Sequence, residues 1–145
     1  MDVKQYLSQA HYLDLSIDSK LEQLSRLNSL ATKATATLSD MPHSPNRGGS
    51  SLEDTICKIV DLQAEINRDI DRLVDLKKSI IALINKVEND EYRLMLEKRY
   101  LNFMSWEVIA VSMNFSRANV FKVHDKAIEN VAVYYYADKE ETKVD

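Results

Sequence analysis

The sequence predicts an all-α protein: a long antiparallel helical hairpin, in the manner of a coiled coil, followed by a small C-terminal helix-turn-helix domain. Three observations carry that prediction. The only Pro and Gly residues, Pro42, Pro45, Gly48 and Gly49, fall within eight positions, so the rest of the 145-residue chain is free to be helix and lacks the turns a sheet needs. Leu52, Ile59, Ile66, Leu73, Ile80 and Val87 recur every seven residues, the period of a helix with a coiled-coil seam. Residues 105–133 carry the small, turn-forming and β-branched residues of two helices joined by a tight corner.

Residues 3–38 place Leu7, Leu13, Ile17, Leu21, Leu24, Leu27, Ala31, Ala34 and Leu38 at helical spacing with no breaker between them, which predicts one long amphipathic helix. Its end, rich in Thr, Ser and Ala, has less apolar grip and is expected to fray. Residues 39–50 then form the loop. Arg47 there reads as a solvated loop residue rather than a phosphate ligand, and His43 has no ligand partner at metal spacing.

Residues 51–89 form the second arm. Beside the seven-residue seam, Ile56, Ile70 and Ile84 occupy a companion seam interrupted by Gln63 and Lys77, and polar residues in such places fix register or partner number. The apolar face is wider than one neighbour fills. We therefore expect Leu52, Ile56, Ile59, Ile66, Ile70, Leu73, Ile80 and Ile84 to serve oligomerisation, with a homodimer presenting two heads. Residues 1–89 are thus the hairpin region, with the loop at 39–50.

Residues 90–102 predict a helix packed on the corner through Tyr92, Met95, Leu96 and Tyr100, with Asn89 and Asp90 offering a break before it. In the corner, Ala110 lies where two backbones must approach closely, Asn114 takes the turn position that needs positive φ, and Val120 returns to the core. Ile109, Met113, Phe115 and Val123 face inward at period 3.6. Ser105 and Ser116 precede the two helices as N-caps. The second helix then offers Ser116, Arg117, Ala118, Phe121 and Lys122 outward, with Asn119 at the side and Lys126 a turn further on. Arg pairs with guanine edges, Asn with adenine, Phe and Ala touch the thymine methyl, and Lys and Ser hold phosphates. An ordinary helical corner is the competing reading.

At Arg99 and Tyr100, Ser105 to Ala110, Ser116 to Val120 and His124 to Ile128 the stretch resembles region four of bacterial sigma factors. Over nearly its full length the chain is similar to phage regulators of late-gene transcription of the ArpU and RinA type, where a helical N-terminal part, an S-P-N-R-G-G-S loop and an I-N-R-D-I-D-R-L-V-D-L-K helix precede a sigma-like corner. Asn114 stands where that pattern has Gly, and Ala118 where it has Gly or a bulkier polar residue. The resemblance implies a sequence-specific DNA-binding transcription regulator, a phage late-gene activator acting as a dimer on double-stranded promoter DNA and touching RNA polymerase. A small terminase-like packaging subunit and a coiled-coil interaction module without DNA binding are the alternatives.

The net charge is −4, against a protein that coats nucleic acid by bulk charge. Residues 90–137 sum to zero, so DNA contact would rest on a local patch and two copies. Nothing in the sequence suggests an enzyme, a cofactor or a metal: no phosphate-cradling Gly loop occurs, and His11, His43 and His124 are isolated. The lone Cys57 fits a reducing cytosol, and no long apolar run or signal segment is present, so a cytoplasmic protein of a bacterial host cell is expected. Arg99 is suited either to a phosphate or to a carboxylate such as Glu107. Trp106 and the triplet Tyr134 to Tyr136 read as packing residues, and residues 138–145 as an acidic disordered tail.

Overall fold

The computed structural model describes residues 1–40 and 48–144, with side chains over 1–36 and 51–142. Among the described residues five α-helices follow one another: α1 (Val3–Asp40), α2 (Gly48–Ile84), α3 (Asp90–Leu96), α4 (Trp106–Met113) and α5 (Arg117–Val144). α3 runs on into a π-helical turn, Glu97–Leu101. No strand occurs among the described residues, and the class is all-α. Of the expected loop at 39–50, Ser39 and Asp40 belong to α1 and Gly48 to Ser50 to α2. The stretch between them, with His43 and Arg47, lies outside the described residues.

The chain packs as two compact units, Leu13–Arg72 and, separately, Met1–Tyr12 with Leu73–Asp145. This differs from a division at residue 89. The ends of the long helices supply core to the C-terminal part: Val3, Leu7, Ala10, Ile80, Leu83, Ile84 and Val87 join one buried cluster with Ile109, Val120 and Val131.

In the Leu13–Arg72 unit the two arms are antiparallel. Ile17 and Ile66 are the buried apolar side chains described in this unit. Between the arms Lys20 pairs with the buried Asp69 and, at 2.8 Å, with Glu65. The seven-residue seam does face inward, with Leu52 and Ile59 half-buried and Ile66 buried. Its companion on the inner face lies three residues on rather than four, at Thr55, Leu62 and Asp69. The expected companions Ile56 and Ile70 are instead exposed. The remaining positions assigned to oligomerisation are used within the other unit, where Ile80 and Ile84 are buried and Leu73 packs against the same core. After Lys20 the apolar stripe of α1 loosens, and Leu21 and Leu30 are exposed.

In the other unit α2 ends at Ile84, a turn at Asn85 and Lys86 follows, and Asn89 caps α3 by accepting from the Tyr92 N–H at 3.1 Å. The break at Asn89 needs no Pro or Gly because this side chain satisfies an orphan donor. Arg93 donates to the Val87 carbonyl at 3.0 Å and pairs with Asp90. α3 and α4 pack on α5. The acidic end does not come loose as composition predicts: α5 continues to Val144. Nothing helix-breaking stands in it, and Asp138 pairs with Lys86 at 2.8 Å while Tyr135 and Lys139 donate to the Met1 carbonyl.

Candidate nucleic-acid interface

The corner between α4 and α5 is built by its caps. Ser105 accepts from the Val108 N–H at 3.3 Å and Ser116 from the Asn119 N–H at 3.2 Å, so each helix start has a satisfied donor. α4 stops at Asn114, whose backbone is left-handed (φ 57°, ψ 43°). The Phe115 N–H bonds the Ala110 carbonyl at 2.9 Å and the Asn114 N–H the Val111 carbonyl at 3.2 Å, a Schellman closure with Asn in the place usually held by Gly. Ala110 is half-buried, and Ile109, Val120, Val123, Ala127 and Val131 are buried. These side chains fix the inner faces of the two helices.

Opposite that inner face, Ser116, Arg117, Ala118, Lys122 and Lys126 are exposed and Asn119 is half-buried. Phe121 is 38% exposed and leans on Trp106 at 5.2 Å. The first turns of α5 therefore hold the expected side chains together on an open surface. Arg117 sits 3.7 Å from Glu107, with both side chains well exposed; an exposed pair of this length holds little energy. Asp125 and Glu129 share the outward face with Lys122 and Lys126, so beyond the first turns of the helix basic and acidic side chains alternate.

Behind this surface stands a cluster that the sequence left ambiguous. The Arg99 guanidinium lies 4.1 Å from the Trp106 ring centre and donates to the Met104 carbonyl at 2.9 Å, so it props the start of α4 rather than pairing with Glu107. Trp106 meets Phe121 on one side and the edge of His124 at 4.8 Å on another. His124 is buried, 3% exposed, and shares a 2.6 Å hydrogen bond with the Tyr100 hydroxyl. Burial pushes the Tyr100 hydroxyl up to about 12. It lowers the His124 imidazole to about 4, with Lys4 adding in the same direction. Both groups are neutral near pH 7, so the pair is a packing device and not a phosphate ligand.

Phe103 was not singled out by its sequence context. It has positive φ (56°), stacks on His11 at 4.8 Å and lies under Lys77, whose Nζ is 4.7 Å from the ring centre. A left-handed Phe is held there by its packing; no local residue type signals it. Among the described residues no group of three or more His, Cys, Asp or Glu is placed to hold a metal ion. No helix of the described residues is long and apolar enough to cross a membrane.

A family profile for DUF1492, described as a protein of unknown function, matches residues 43–132. The chain belongs to that family. The DUF1492 match takes in α2, α3, α4 and the first half of α5, and hence every residue of the exposed surface at the corner. No curated protein and no solved structure matches the chain.

Proposed function

We propose that this DUF1492 protein is a sequence-specific DNA-binding transcription regulator, a phage late-gene activator at work in the bacterial cytoplasm. The first two turns of α5 enter a major groove, Arg117 and Asn119 reading base edges, Ala118 and Phe121 meeting thymine methyls, and Ser116 and Lys122 holding phosphates. The observation that carries this reading is the joint exposure of Arg117, Ala118 and Lys122 at the start of a helix whose angle is fixed by the left-handed turn at Asn114. Asp125 and Glu129 limit the contact to the N-terminal turns, since acidic side chains on the same face repel the phosphates further along.

The test is a gel shift with DNA fragments from the late region of a phage genome that encodes the chain, in excess unrelated competitor. The wild type retains a discrete complex on one fragment, and Arg117→Ala with Lys122→Ala removes it while the helical circular dichroism is unchanged. No fragment bound in preference to competitor, or an undiminished complex with the double variant, refutes the proposal and leaves an interaction module in its place.

A further inference from the structure

Trp106, the first residue of α4, is held by three neighbours, two of which are themselves tied down. The Arg99 guanidinium lies over the indole, 4.1 Å from its centre, and is fixed by the Met104 carbonyl at 2.9 Å. The edge contact at 4.8 Å comes from His124, whose imidazole shares a 2.6 Å hydrogen bond with the Tyr100 hydroxyl. The third neighbour is Phe121, with ring centres 5.2 Å apart and planes inclined at 58°. Turning the indole breaks at least one of these contacts, so its position is set before any ligand arrives.

Of the three, Phe121 belongs to the outward surface of α5, 38% exposed. Arg117 and Ala118 stand four and three residues before it, on the same side of the helix, and the small Ala118 keeps that side open. Side chains that wedge between base pairs enter the stack and unstack the step. A ring backed by Trp106 is not free to do so and presents only its outer side. Such a side suits the C5-methyl of a thymine, the apolar group that base pairs show in the major groove. A ring already immobilised also has little rotamer freedom left to lose on binding.

We infer that Trp106 is a positioning residue for thymine recognition: it touches no DNA, and through Phe121 it sets which thymine methyl α5 detects. This rests on the regulator reading and assigns the support of one base contact within it. The Ala118 methyl is fixed to the backbone and needs no such support, so a thymine met by Ala118 keeps its effect when Trp106 is lost.

The experiment uses the full chain and the fragment selected by gel shift, with each thymine replaced in turn by uracil, which lacks only the methyl group. In the wild type one replacement lowers affinity about fourfold, the worth of one buried methyl group, and Phe121→Ala abolishes that difference. Trp106→Leu abolishes it at the same thymine and at no other, and Trp106→Phe restores it in part. Each thymine-to-uracil ratio is taken on one protein, so a general loss of affinity cancels. In the free protein Phe121→Ala moves the emission of the only Trp in the chain to longer wavelength, because the side of the indole that Phe121 covered meets water. That readout leaves Trp106 unaltered and stands even where Trp106→Leu does not fold. No thymine whose effect Phe121→Ala removes, an unchanged ratio in Trp106→Leu, loss of every thymine effect together, or an unmoved emission overturns the inference and leaves the regulator standing. A chain that binds no fragment refutes the regulator and the inference with it.

Discussion

Between pH 7.5 and pH 5 the protein should lose stability because of one buried ring. His124 titrates near 4 when folded and 6.5 in a reference peptide, so between those values the unfolded chain carries an imidazolium that the folded chain refuses. Protons then favour unfolding: stability is whole above 6.5, falls as the pH drops, and the loss levels off below about 4. Linkage puts the loss from this group at ~2 kcal/mol on going from pH 7.5 to 5. Urea unfolding followed by circular dichroism at the two pH values measures it. His124→Gln keeps a polar partner for the Tyr100 hydroxyl but takes up no proton, so its difference between the two pH values should shrink by about that amount. If the variant and the wild type lose the same stability on acidification, the ring is not buried neutral against Tyr100, and the packing behind α4 is misread.

The other expectations concern the corner and its supports. Asn114→Gly should be neutral or slightly stabilising and Asn114→Ala should cost about 1 kcal/mol, since the left-handed backbone penalises a Cβ; thermal unfolding distinguishes them. Leu7→Ala, far from the corner in sequence, removes a fully buried side chain from its core and should cost roughly 2–5 kcal/mol, with faster hydrogen exchange in α4 and α5. Asp125→Asn with Glu129→Gln should tighten DNA binding at low salt by removing two negative charges from the outward face, measured by fluorescence anisotropy; weaker or equal binding means that face does not approach phosphates.

What the sequence made legible was whatever one helix states by itself. The absence of breakers outside residues 42–49 fixed the class, Ser105 and Ser116 announced helix starts, and Asn114 announced the left-handed stop. Pairings between distant segments were not legible. The inward face of α2 was ambiguous because Ile, Leu and Val lie at three- and four-residue steps on both sides of the seam. The Lys20–Asp69 pair, which decides for the three-residue companion, involves residues 49 positions apart. The recruitment of Leu7 and Ala10 into the core beneath the corner is likewise long-range, and so is the anchoring of Tyr135 and Lys139 that keeps a charged C-terminal stretch helical. Arg99 could be read as a phosphate ligand because no local pattern shows that it stacks on Trp106. The open surface of Arg117, Ala118 and Lys122 was readable because burial on α5 follows the 3.6 period without exception over its first three turns.

The most direct measurement of the central claim is the salt dependence of binding to the fragment selected by gel shift, for wild type and Lys122→Ala side by side. Weaker binding by the variant at every salt concentration, with a slope of log affinity against log salt flatter by about one, is the expected result. Parallel lines of equal height for the two proteins would contradict it.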